Sequence, residues 1–157
     1  MKRLMKKGLM KKVVMAFGAF DGIHSGHLYY LNKAKKLGNY FVVAIARDKT
    51  LWKFLRRYKL NEKERKLLVE SIGIADKVVL GSKTNALERV KELKPDIIVI
   101  TPYNPVNPQL LQMDLKRIGL KTKVVSLKKY LPKTYDLIFK INKKLTKKEL
   151  LGLSPKN

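Results

Sequence analysis

The sequence has no cysteine, and only two histidines and one tryptophan among its 157 residues. Without cysteine there is no disulfide framework, no thiolate metal site and no thiol nucleophile. With His24 and His27 as the whole histidine complement, a zinc centre would fall short of its usual ligands, and no resident metal is expected. Acid is scarce as well: 12 Asp and Glu face 36 Lys and Arg, a formal charge of +24. Such a field steers anionic substrates and gives non-specific polyanion binding that fades with salt. The basic residues are spread along the chain and are not interleaved with aromatics, so a base-stacking platform for nucleic acid is not indicated. Long apolar runs are also missing, since none approaches the ~20 residues of a membrane-spanning helix. The basic start, Met1 to Lys12, followed by Val13 to Phe20 imitates a short secretory leader, but the same apolar run is needed as a first strand. These absences lead to the expectation of a cytoplasmic protein without a membrane partner.

What is present is a regular alternation. Hydrophobic residues make up 45% of the chain, enough for one real core at this length. Short β-branched apolar runs at Lys12 to Phe17, Tyr40 to Ala46, Lys77 to Leu80, Asp96 to Ile100 and Lys123 to Leu127 read as buried parallel strands. Between them lie helical patterns: Leu28, Leu31, Ala34 and Leu37; Leu67, Leu68 and Ile72 behind an Asn61 cap with Glu64 three places on; Asn85 to Leu93; Pro108 to Ile118. A closing helix is expected over Tyr135 to Leu145. The pattern predicts an α/β fold, a Rossmann-like doubly wound parallel sheet of about five strands with helices on both faces. The domain reading is a basic extension over residues 1–11, one domain over 12–150 and a tail over 151–157.

The stretch Phe17-Gly18-Ala19-Phe20-Asp21-Gly22-Ile23-His24-Ser25-Gly26-His27 carries the chemistry. It reads as strand, glycine turn and helix start, and a helix N-terminus offers unpaired amides and partial positive charge to a phosphate. Gly18 and Gly22 permit the turn, and Gly26 permits close approach to the backbone. His24 and His27 are three apart, so both imidazoles fall on one face of the first turn, beside that pole. Imidazole holds or gives a proton near neutral pH, which suits an oxygen gaining charge as phosphorus changes partners. Two other readings stand beside this one. Asp21, His24 and His27 have the spacing of metal ligands, and either histidine can serve as a plain helix cap. Beyond the turn, Asp48, Lys49, Lys53, Arg56 and Arg57 would overhang the same sheet edge, where a phosphate monoester needs cations; alternatively Trp52 and Leu55 pack inward and the charges are a solvated face. Arg65, with Glu62 nearby, reads as a surface ion pair of little energetic weight.

Gly18-Ala19-Phe20-Asp21 followed by His24-Ser25-Gly26-His27 resembles the GTFD and HxGH signature of the cytidylyltransferase-like nucleotidyltransferases. The likeness continues through Ala46-Arg47-Asp48, Glu64-Arg65, Ala75-Asp76-Lys77-Val78 and Leu93 to Val99, and is strongest to the archaeal FAD synthases. The resemblance implies transfer of AMP from ATP to FMN with release of pyrophosphate, a divalent metal, Mg²⁺, accompanying ATP, and a homodimer. It implies catalysis by His24 and His27, and nucleotide contacts from Ala19, Phe20, His24, Ser25, Gly26, His27, Tyr103, Asn104, Tyr130 and Thr134. Lys53 and Arg57 fall where the family closes on the acceptor phosphate. The chain departs from the pattern at Ala19, where Thr is usual, at Thr101-Pro102-Tyr103-Asn104, where a Gly-x-Asp-Gln stretch is usual, and at Lys133-Thr134, where a Ser/Thr pair is usual. The alternatives are a CTP-dependent cytidylyltransferase acting on a small alcohol phosphate, and a non-catalytic nucleotide- or nucleic-acid-binding protein on the same fold.

Overall fold

Strands form where apolar β-branched residues run without a break. The computed structural model describes residues 8–55, 57–101 and 104–128. In order they form β1 (Val13–Gly18), α1 (Ser25–Lys35), β2 (Tyr40–Ile45), α2 (Asp48–Leu55), α3 (Glu62–Ile72), β3 (Lys77–Leu80), α4 (Ala86–Leu93), β4 (Ile97–Ile100), α5 (Pro108–Arg117) and β5 (Lys123–Ser126). All strand pairs are parallel, in the order β3-β2-β1-β4-β5.

Side chains alternate across the sheet because strand residues point to opposite faces in turn. Val14 and Ala16 of β1, with Phe41 and Val43 of β2, pack against Leu31 and Ala34 of α1 and Val69 of α3. Met15, Ala44 and Ile98 face the other way, onto Val90 of α4 and Leu115 of α5. Full burial of each Val, Leu, Ile, Phe or Met side chain among these contributes about 1.5–3 kcal/mol, so both helical layers are held by the strands' two faces. β1 pairs with β2 on one side and β4 on the other, with Ala16 opposite both Val43 and Val99. The chain winds outward to β3 and then returns to the far side of β1. That reversal opens a crevice beyond the carboxyl ends of β1 and β4, where open α/β sheets bind ligands.

Two aspartates pin the opposite edge of the sheet. Val13 N–H donates to Asp96 Oδ2 at 2.7 Å while Asp96 N–H returns a bond to Val13 O at 2.8 Å. Phe41 and Asp76 repeat this pair, at 2.7 and 2.9 Å.

Three expectations about facing are corrected. Leu28 is 37% exposed, and Tyr30 takes the inner position with its hydroxyl donating to Val99 O at 2.9 Å. Leu67 is 63% exposed, because α3 turns its Arg65 and Val69 face inward. Trp52 is 64% exposed while Leu51 is buried, so the reading that packed Trp52 inward fails by one residue of helical rotation. The helix expected over Tyr135 to Leu145 lies outside the described residues, as do Arg56, Tyr103, Tyr130 and Thr134.

Candidate active site

At Gly18 the chain leaves β1 and must reverse into α1, and an aromatic ring shapes the turn. Phe20 adopts φ 52° and is 2% exposed. A left-handed conformation costs a non-glycine residue about 1–2 kcal/mol. Its ring folds over Gly18, where a Cβ would stand 2.5 Å from Phe20 Cε2, so the glycine is required by close approach. Restraints on both sides hold the strained residue. Ala19 O accepts from Arg65 Nη1 at 2.8 Å, and the Asp21 carboxylate accepts from Lys59 N–H at 2.8 Å and Leu60 N–H at 2.7 Å. Burial pushes the Asp21 pKa up, but those two amides, with the Arg65 and Lys59 charges, outweigh it and leave the carboxyl below its ordinary value.

The two histidines form a reciprocal cap. His24 is the N-cap residue, with φ −133° and ψ 175°, so it stands just before the first turn rather than in it. Its Nδ1 accepts from Gly26 N–H at 3.1 Å, and its own N–H donates to His27 Nδ1 at 3.2 Å. This is the capping-box arrangement built from two imidazoles. The rings lie 3.9 Å apart between centroids, and His27 also meets the Phe20 ring at 5.3 Å.

Cap and chemistry are therefore not alternatives here. Each Nδ1 accepts a backbone N–H, which turns the Nε2 side of each ring away from that bond and leaves Nε2 as the position for a donor proton. Burial, followed by the neighbouring His24, lowers the His27 pKa to about 4. This corrects the expectation of two near-neutral proton carriers: at pH 7 His27 is a neutral hydrogen-bond donor. A Cβ on Gly26 would stand 2.9 Å from His24 Cε1 and 3.0 Å from Nδ1, so the bare backbone there makes room for the His24 ring. The metal reading of Asp21, His24 and His27 loses support, because both Asp21 oxygens and both Nδ1 atoms are bonded to backbone amides. Among the described residues no group of three His, Cys, Asp or Glu side chains could hold a metal ion.

The turn thus brings together Ala19, Phe20, His24, Ser25, Gly26 and His27, with Ser25 exposed beside the pole. Asn104 sits at the mouth of the crevice and ties its walls. Its Nδ2 donates to Phe17 O at 3.2 Å, and its Oδ1 accepts from Thr101 N–H at 2.8 Å. Lys53, in the last turn of α2, and Arg57 are both exposed. Arg57 is two residues before Lys59, whose amide is bound by Asp21.

The residue that sequence reasoning set aside is Arg65. It is 0% exposed and spends its fork on three loops: Nε on Leu60 O at 3.0 Å, Nη1 on Ala19 O at 2.8 Å and Nη2 on Asp48 Oδ1 at 2.7 Å. A signal was available. Arg65, Val69 and Ile72 share one helical face at spacings of four and three, which places the guanidinium on the core stripe.

Comparison with known proteins agrees with this geometry. The cytidylyltransferase-like family model matches residues 15–146. A FAD synthase of Aciduliprofundum boonei is 39% identical over 132 residues, covering 82% of this chain and 89% of the relative. A FAD synthase of Methanothermobacter marburgensis is 41% identical over 152 residues, covering 95% and 94%. Among solved structures, the lipopolysaccharide core biosynthesis protein from Thermoplasma volcanium GSS1 superposes with a TM-score of 0.74 at 34% identity, over 77% of this chain and 99% of its own. The matched span contains the sheet, the turn at its switch point and the paired histidines, and the chain belongs to the cytidylyltransferase-like family of nucleotidyltransferases.

Proposed function

We propose that the chain joins the AMP of ATP to FMN, giving FAD and pyrophosphate. The observation that carries the reading is the two-histidine cap, which sets both imidazoles at a helix pole at the switch point of the sheet. FAD synthase relatives at 35–41% identity support the choice of FMN and ATP. A phosphate oxygen of FMN attacks the α-phosphorus of ATP. The new oxygen–phosphorus bond forms as the bond to the β-bridging oxygen breaks, and pyrophosphate leaves with the electron pair. No covalent enzyme intermediate is needed, so the protein contributes position and charge complementarity. His24 and His27 donate to oxygens that gain charge in the transition state, and the α1 pole adds its partial charge. Lys53 and Arg57 hold the FMN phosphate.

Mg²⁺ enters with ATP as part of the substrate. It keeps water and phosphate oxygens as ligands and asks the protein for one or two carboxylates at most. Asp21 is committed to backbone amides, which fits an ion carried by the triphosphate better than one resident in the protein. No helix among the described residues is long and apolar enough to cross a membrane. A homodimer and salt-sensitive polyanion binding belong to the same proposal; the +24 charge supports the second.

The test is direct. Protein, Mg²⁺ and FMN are incubated with each of the four nucleoside triphosphates and the flavins are separated; FAD is expected with ATP. Absence of any flavin dinucleotide, together with pyrophosphate release from CTP and glycerol phosphate, would transfer the assignment to cytidylyl transfer.

A further inference from the structure

The site's loops come from separate parts of the chain, and one buried side chain joins them. We propose that Arg65 is a positioning residue that fixes the distance between the nucleotide turn and the acceptor loop, an inference that rests on the nucleotidyl-transfer reading above. Its three donors reach Ala19 O in the β1–α1 turn, Asp48 at the start of α2 and Leu60 O just before α3. The planar fork makes this possible, because its N–H directions are fixed relative to one another, whereas a lysine would offer a single swivelling point charge.

Further bonds close the frame around it. Asp21, one residue beyond the strained Phe20, binds the amides of Lys59 and Leu60. Glu62, three residues before Arg65 on α3, accepts from Asp48 N–H at 2.9 Å and lies 3.4 Å from Arg47 Nε. Displacing the Ala19 carbonyl frees Phe20 to leave its left-handed conformation, and the ring in contact with His27 moves with it. Displacing Asp48 releases the first turn of α2, the helix that carries Lys53. A single guanidinium therefore sets both halves of an in-line geometry without touching either substrate.

Such a role predicts a specific kinetic split. Each substrate still meets its own loop, so both KM values for Arg65→Lys should stay within about threefold of wild type. Misplacement of the reacting atoms by ~1 Å lowers kcat by about 10²-fold. Val69→Ala removes buried volume one turn along the same helix without touching either loop, and it should lower the melting temperature while leaving kcat within about twofold. In Arg65→Ala, added methylguanidinium should restore part of the lost kcat. Wild-type kcat in Arg65→Lys overturns the proposal, and so does a loss in Val69→Ala that matches the loss in Arg65→Lys. If Arg65→Lys does not fold, Asp48→Ala removes the acceptor of Arg65 Nη2 and with it one strap, and should lower kcat by about tenfold; no change there would refute the role. If wild type proves inactive with every nucleotide and acceptor, the functional reading fails, and amide exchange judges the frame separately. At least about tenfold faster exchange at Lys59 and Leu60 in the folded variant supports it, and unchanged exchange refutes it.

Discussion

Replacing His24 by Asn should separate two roles that the structure places on one ring. Asn is among the best N-cap residues, and its side-chain oxygen can take the amide that His24 Nδ1 now accepts at 3.1 Å. It cannot extend a donor as far as Nε2. The expectation is therefore asymmetric. His24→Ala loses the cap, worth about 1 kcal/mol, or about 2–4 °C in melting temperature at this chain length. His24→Asn should melt within about 1 °C of wild type, since the ring is exposed and contributes little core packing. Both variants should lose a transition-state donor worth ~2.7–4 kcal/mol, about 10² to 10³ in kcat. Thermal melts and initial rates of FAD formation, resolved by chromatography, read the two quantities separately. If His24→Asn turns over like wild type, the imidazole is only a cap and the mechanism is wrong. If His24→Ala unfolds outright, the ring supports the turn in a way the hydrogen bonds do not account for.

His27 makes the fold sensitive to acid. Its pKa falls from 6.5 to about 4 on folding, so between those values the unfolded chain binds the extra proton and the native state does not. Stability is then complete above about pH 6.5 and declines as pH falls toward 4. The shift sets a ceiling of about 3 kcal/mol, which partial exposure of the ring reduces to about 1–2 kcal/mol. Denaturant melts at pH 7 and pH 4.5 should show this loss in wild type and not in His27→Gln; equal losses in both would assign the acid sensitivity to carboxylates. Lys53→Ala and Arg57→Ala should each raise the KM for FMN by about tenfold, the lower end for an exposed charge-assisted bond, and leave kcat and the KM for ATP nearly unchanged. Steady-state titration of each substrate checks this, and an effect confined to ATP would remove both residues from the acceptor site.

The sheet was legible because its strands are short apolar runs rich in Val, Ile and Ala, and the three central ones are buried on both faces. Lys77–Leu80 forms the strand read from the sequence, and Asn61 caps α3 through a reciprocal pair with Glu64. The histidine pair was legible as a motif at a helix start, but the electrical state of His27 was not. That state depends on the Phe20 ring and on burial, which arise from a left-handed torsion that no local pattern announces. Arg65 was misread because its neighbour in sequence, Glu62, supplies no bond to it. Its partners Ala19 and Asp48 are 46 and 17 residues away and meet it only after the sheet has formed. Leu28 and Leu67 failed for a related reason: apolar spacing gives a helix its period, while the side that faces inward is decided by what the rest of the chain offers.

The paired aspartate clamps at the amino edge of the sheet separate foundation from workshop. Asp96 with Val13 and Asp76 with Phe41 lock β4 against β1 and β3 against β2, each through two bonds at the end remote from the crevice. A parallel strand that slips by one residue turns its whole apolar set the wrong way, and here any slip would also break both bonds of a clamp. Alignment of the strands is thus secured at the end of the sheet remote from the crevice. A changed side chain at the crevice end, as at Ala19, accordingly leaves both clamps in place, so the sheet keeps its register while the edge above it varies.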